Sequence, residues 1–226
     1  MALTKVSSGT VKEQRMLVAE EINQNGTYLF IKRFIDILAS LFGLILLSPI
    51  FLIVALLIKL EDPRGPILFK QVRIGKSEKE FGMYKFRSMV TDAEDRLKDL
   101  LQHNEVSGAM FKMKDDPRVT KIGKFIRKTS IDELPQLLNV LKGDMSLVGP
   151  RPPLPREVKE YTSYDKQRLL VTPGCTGLWQ VTDRNSVGFK EMVELDLTYI
   201  KNRSLGLDIK LILKTVLVLF GSKNAF

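Results

Sequence analysis

Two acids and one arginine are the residues best placed to do chemistry. Asp132 and Glu133 stand side by side in SIDELPQLLNVLKGDMSLVGPRP, which runs from 130 to 152, and Arg151 is fixed between Pro150 and Pro152. Neighbouring residues on a helix point about 100° apart. One acid can then face a phosphorus atom while the other handles a metal or a proton. A helix start offers free N–H groups and positive potential, which attract phosphate and keep a carboxylate ionised, as a nucleophile must be. Magnesium suits such a pair, because it takes few carboxylates and shares its shell with phosphates. The planar fork of Arg151 can hold a phosphate. The same residues also have a purely structural reading. Asp132 can be an N-cap with Glu133 in the first turn and Pro135 at the third position, or Ser130 and Glu133 can form a capping box. The residues alone leave both readings open.

Other chemistries lack their residues. The chain has one cysteine, Cys175, and one histidine, His103. A Cys/His zinc site is excluded, and no disulfide can form within the chain, which fits a reducing compartment. Acid–base work must come from carboxylates, lysines or a metal held by oxygen.

The elements that must position the acids lie in a chain of 226 residues with net charge +9 and 44% hydrophobic residues. That balance excludes a disordered tail protein and points to an acidic partner: nucleic acid, anionic lipid or a phosphorylated small molecule. No nucleic-acid partner is expected, since no binding motif occurs and aromatics do not interleave with the basic runs.

Phe34 to Ile58 is apolar, with Asp36 its only charge. As a straight helix it would reach roughly 37 Å, enough to span a hydrocarbon core of about 30 Å. Ser48-Pro49 interrupts it, and both flanks are basic, so both ends are drawn to one face. Hydropathy leaves spanning and re-entrant helices equally open.

Strands are expected in GPILFKQVRIG and FGMYKFRSM, and a helix over 92–102. In DPRVTKIGKFIRKT the spacing puts Val119, Ile122, Phe125 and Ile126 on one face, with Lys121, Lys124 and Lys128 elsewhere. Further helices are expected at 133–141, 190–201 and in LGLDIKLILKTVLVLF, which either lies in a membrane interface or packs on the core.

Taken together these pieces resemble the bacterial sugar transferases, the monotopic phosphoglycosyl transferases acting on polyprenyl phosphate. The resemblance runs from Tyr28 to Leu219 through KRFIDILASLFGLILLSPIFLIVALLIKL, PILFKQVRIG, YKFRSM, DPRVTKIGKFIRKTSIDELPQLLNVLKGDMSLVGPRP, VTPGCTGLWQV and ELDLTYIKNRSLGLDIKLILKTV, in family order.

The resemblance implies an α+β, mainly helical fold. A polar extension would occupy 1–27 and a re-entrant membrane helix hairpin, bent at Ser48 and Pro49, would occupy 28–60. A catalytic domain with short strands and interfacial amphipathic helices would follow over 61–226. It implies transfer of a hexose-1-phosphate from a UDP-sugar to undecaprenyl phosphate, with magnesium as cofactor and UMP released. Asp132 would be the nucleophile and Glu133 the second acid, both near the metal. Lys85, Arg87, Arg151, Trp179, Gln180 and Arg184 would bind substrate, with Trp179 and Gln180 on a loop. The implied setting is the cytoplasmic face of the bacterial inner membrane, in contact with lipid, at the first membrane step of exopolysaccharide, capsule or O-antigen assembly. A homodimer is compatible with it. GLWQ favours the glucose or galactose branch. One departure stands out: Thr182-Asp183-Arg184-Asn185 carries Asp183 where many members have glycine before Arg-Asn, which puts the roles of Arg184 and Asn185 in question.

Overall fold

The computed structural model describes residues 16–17, 22–100, 102, 113, 115–182 and 188–221. Helix α1 (Gly26–Leu46) starts at Asn25, whose side chain accepts hydrogen bonds from the Thr27 and Tyr28 amides. Its polar residues Tyr28, Lys32, Asp36 and Ser40 recur every fourth position and so form one stripe. Tyr28, Asp36 and Ser40 are buried, while Phe30, Phe34, Leu38 and Phe42 are exposed.

The apolar run breaks at Leu47. Ser48 Oγ donates to the Ile45 carbonyl at 2.8 Å. Pro49 falls in the first turn of α2 (Ser48–Glu61), where its missing N–H costs no helical bond. The two helices meet at a 59° bend. Among the described residues no single helix is long and apolar enough to cross a membrane, though the bent pair is when taken together.

Strands β1 (Leu68–Ile74) and β2 (Glu80–Phe86) form an antiparallel hairpin in which Phe69 faces Lys85 and Lys70 faces Tyr84. Helices α3 (Ala93–Leu100) and α4 (Lys121–Lys128) follow. A 3-10 turn over Ile131–Glu133 leads into α5 (Gln136–Lys142), which Gly143 ends at a left-handed φ of 91°. Strand β3 (Ser146–Val148) pairs in parallel with β4 (Gly174–Thr176), and α6 (Pro155–Lys159) lies between them in sequence. Helices α7 (Leu178–Thr182), α8 (Phe189–Asn202) and α9 (Leu205–Gly221) are the last described elements. The expectation of a mainly helical fold with small sheets holds.

Two apolar clusters organise these pieces. Val148, Val193, Leu197, Ile200 and Leu211 pack α8 and α9 over β3. Val54, Ile58, Phe86 and Ile126 pack α2 against β2 and α4. The second cluster corrects the expected face of α4. Ile126 is fully buried, but Phe125 is 55% exposed beside the exposed Lys121, Lys124 and Lys128. The cause is Gly123, where a Cβ would stand 1.9 Å from the Ser88 carbonyl oxygen. The helix therefore docks along its Gly123–Ile126 edge and swings Phe125 outward.

Both ends of the bent pair are fastened to the same body. From α1, Asp36 accepts the Leu147 amide at 2.9 Å, and Arg33 donates to the Val140 and Leu141 carbonyls at the end of α5. Lys32 lies 2.9 Å from Asp208 of α9. From the end of α2, Glu61 accepts the Lys121 and Ile122 amides at 2.8 and 3.1 Å, covering the start of α4. Asp62, one residue on, pairs with Arg87.

Candidate active site

The acid pair is not a helix cap. Ser130 has a left-handed φ of 55°, contributes no capping hydrogen bond, and starts the 3-10 turn that holds both acids. Pro135 rather than Asp132 occupies the N-cap of α5, so neither the N-cap nor the capping-box expectation is met. Leu134 and Pro135 both keep right-handed helical φ and ψ, so the 3-10 turn runs directly into α5 and the acids lie before its first residue.

Glu133 stands at the junction of two cavities. The smaller, about 50 Å³, is lined by Arg73, Met83, Gln136, Arg151, Trp179 and Gln180 together with Glu133. The larger, about 200 Å³, runs from Glu133 along Leu134, Leu137 and Leu147 to Ile212, Val216 and Val218 of α9, and its walls are mostly apolar. Gln136, Cys175 and Gln180 border both. Asp132 is only 7% exposed and lines neither of them.

Strand β2 brings Lys85 to the site, where its Nζ lies 2.7 Å from Glu133 Oε1. Arg87, two residues further on, goes elsewhere. It is buried against Asp62 and Gly65, where a Cβ on Gly65 would stand 2.0 Å from its Nη1. The expected pair of basic site residues is thus divided: Lys85 joins the acids, and Arg87 holds the turn after α2.

Arg151 reaches the small cavity from a loop held at several points. Its carbonyl accepts from Arg168, its Nη1 lies 3.5 Å from Glu157, and the next carbonyl, that of Pro152, accepts from Arg73 at 2.9 Å. The loop can approach β4 only through glycines, since a Cβ on Gly174 would stand 2.0 Å from the Gly149 nitrogen.

Trp179 and Gln180 do line the small cavity, but on helix α7 rather than a loop. Trp179 Nε1 and Gln180 Oε1 are buried without a hydrogen-bond partner. Buried polar atoms are rarely left so, and a ligand is one way to satisfy them. Cys175 borders both cavities, and burial, then the Glu133 charge, push its thiol well above the ordinary range, which disfavours the thiolate. Arg184, Asp183, Asn185 and His103 lie outside the described residues.

The residue that reading the sequence missed is Arg73. Gln71 and Arg73 are two apart on β1 and so share a face, and that same-face polar pair was the available signal.

Among the described residues no group of three or more His, Cys, Asp or Glu converges on a metal position. Magnesium needs only one or two carboxylates when substrate phosphates complete its shell; of the two acids, Glu133 lines both cavities and Asp132 lines neither.

Residues 27–222 match the family described as bacterial sugar transferase. The chain is 52% identical over 198 residues to galactosyl transferase CpsE of Streptococcus agalactiae, covering 87% of this chain and 44% of that protein. It is 45% identical over 201 residues to the undecaprenyl-phosphate galactose phosphotransferase of Salmonella typhimurium, covering 87% and 42%. It is 39% identical over 199 residues to the exopolysaccharide production protein ExoY of Sinorhizobium fredii, covering 86% and 88%. The chain thus spans under half the length of the first two relatives and most of the third. On the match over nearly its whole length, the chain belongs to the bacterial sugar transferase family.

Proposed function

We propose that this chain transfers a sugar-1-phosphate from a UDP-sugar to polyprenyl phosphate, releasing UMP. One observation carries the reading: Glu133 is the shared wall of a polar cavity with two arginines and an apolar cavity lined by α9. The first suits the diphosphate of a nucleotide sugar, the second the chain of a lipid acceptor, and Glu133 lies where the two meet, with Asp132 next to it in the chain.

In this reading an Asp132 carboxylate oxygen attacks the sugar-bearing phosphorus. The bond from that phosphorus to its bridging oxygen breaks, and UMP leaves with the electron pair. A phosphate oxygen of polyprenyl phosphate then attacks the same phosphorus and Asp132 leaves as carboxylate. Lys85 and Arg151 stabilise charge on the transferring group. Asp132 is 7% exposed, so the 131–133 turn must present it to the donor. The left-handed Ser130 before it is the residue that can absorb such a change. Asp132 and Glu133, together with substrate phosphates, would hold magnesium, which would supply charge neutralisation.

The bent pair α1–α2 is read as re-entrant. Its exposed apolar side chains want lipid, yet both of its ends are bonded to one body, and that shared anchorage supports a pair that enters and leaves on one membrane face. UDP-sugars are cytoplasmic, so that face is the cytoplasmic one of the bacterial inner membrane. Exposed Phe125 beside three lysines fits the headgroup layer. The names of the Streptococcus and Salmonella relatives make UDP-galactose the first donor to try.

The test is UMP release by nanodisc-held protein given magnesium, undecaprenyl phosphate and a panel of UDP-sugars. Release with one or two donors, dependent on the lipid, supports the reading. Silence across the panel from folded protein would favour a non-catalytic membrane scaffold.

A further inference from the structure

The small cavity contains an arginine that makes no direct ion pair among the described residues. Arg73 is 5% exposed. Its Nε and Nη2 donate to Gln71 Oε1 at 3.1 and 2.7 Å, and its Nη1 donates to the Pro152 carbonyl at 2.9 Å. Both acceptors are neutral, and no carboxylate among the described residues forms a salt bridge with it. Buried charges are ordinarily paired, because taking an ion from water is costly.

Its surroundings deepen the deficit. Arg151 lines the same cavity, and burial, then the Arg151 charge, push the Arg73 guanidinium down to about 9 against the smaller opposing pull of Glu157 and Glu133, neither of which bonds to it. It is still protonated at neutral pH. Glu157, the acid nearest Arg151, stands at 3.5 Å and also accepts the Leu154 amide. A guanidinium carries five N–H groups, and three of those on Arg73 are committed. One N–H remains on each terminal nitrogen, a spacing that suits two oxygens of one phosphate.

We propose that Arg73 binds phosphate directly, gripping with Arg151 the diphosphate of the nucleotide donor inside the cavity walled by Met83, Glu133, Trp179 and Gln180. The proposal rests on the reading that the donor is a nucleoside diphosphate sugar. Arg73 has a second duty: through Pro152 it braces the loop that carries Arg151. The two duties separate in a double-mutant cycle.

The probe is inorganic pyrophosphate, titrated calorimetrically into the full chain in nanodiscs. The proteins are wild type, Arg73→Gln, Arg151→Gln and the double variant. Each single change should weaken binding by about tenfold or more, and Arg73→Gln should weaken it again by a similar factor in the Arg151→Gln background. Unchanged affinity in Arg73→Gln overturns the proposal. So does a loss that vanishes once Arg151 is gone, because Arg73 then acts only through the loop. Should the Gln variant not fold, Arg73→Lys is read instead, since it keeps the charge and loses the fork. A clear loss of pyrophosphate affinity supports direct binding, and wild-type affinity overturns it. UMP release by the same wild-type preparation separates this idea from the transferase reading. Turnover with Arg73-independent pyrophosphate binding sinks the role of Arg73 alone; no turnover and no pyrophosphate binding sinks both.

Discussion

Lys85 Nζ lies 2.7 Å from Glu133 Oε1, and through this contact strand β2 holds the turn that carries both acids. The two side chains remain 21% and 32% exposed, so solvent screens the pair. Lys85→Met should therefore change the unfolding free energy by less than about 1 kcal/mol. Its effect on UMP release should be far larger, about a hundredfold, because in the proposed reaction the same ammonium faces developing phosphate charge. A large fall in thermal midpoint with little loss of rate would assign Lys85 to structure instead.

Asp36 is the only charge in the apolar run from Phe34 to Ile58, and it accepts the Leu147 amide at the start of the strand leading to Arg151. Asp36→Ala leaves that N–H unpaired and should cost about 1–3 kcal/mol in denaturant unfolding from detergent. Asp36→Asn keeps an acceptor oxygen and should retain most of the stability. Equal losses in both variants would mean that the charge matters rather than the hydrogen bond.

The order of elements was legible because each carries its own signal: alternating strands in FKQVRIG and MYKF, Gly143 after a helical run, and Ser48-Pro49 in an apolar stretch. The partners across space were not. Nothing in YKFRSM says that Lys85 meets Glu133 while Arg87 is drawn to Asp62, since that depends on where α2 ends. Phe125 belongs to the apolar face of its helix by spacing, and it is exposed because Gly123 sets the docking edge. Arg73 reads in the sequence as one of the basic residues flanking the apolar run, and only the fold brings the GPRP loop to it.

Asp62 should govern part of the acid stability. The hydrogen bond from Arg87, then that from the Gly65 amide, hold its carboxyl below the usual 3.8. The folded state thus binds fewer protons than the unfolded one in acid. The stabilisation is fully present above the unfolded value and disappears as pH falls through the lower folded value. Unfolding free energy measured from pH 5 downward should fall more steeply in wild type than in Asp62→Asn. Parallel curves would remove Asp62 from the account.

The shared anchorage of α1 and α2 predicts a topology. Single cysteines introduced as T27C and R64C in a C175A background flank the bent pair. Both should react with a membrane-impermeant maleimide in inside-out vesicles and neither in right-side-out vesicles. Labelling from opposite faces would make the pair a spanning segment and would contradict the reading drawn from Asp36 and Glu61.

The central claim is that Asp132 becomes covalently bonded to the transferred group, and intact-protein mass spectrometry tests it most directly. Nanodisc-held protein is mixed with magnesium and its UDP-sugar without polyprenyl phosphate, then quenched in acid. The account predicts a mass increase equal to one sugar-phosphate in wild type, no such species in Asp132→Asn, and its disappearance when polyprenyl phosphate is added. An adduct that persists in Asp132→Asn, or UMP release by wild type through which no adduct ever forms, would contradict it.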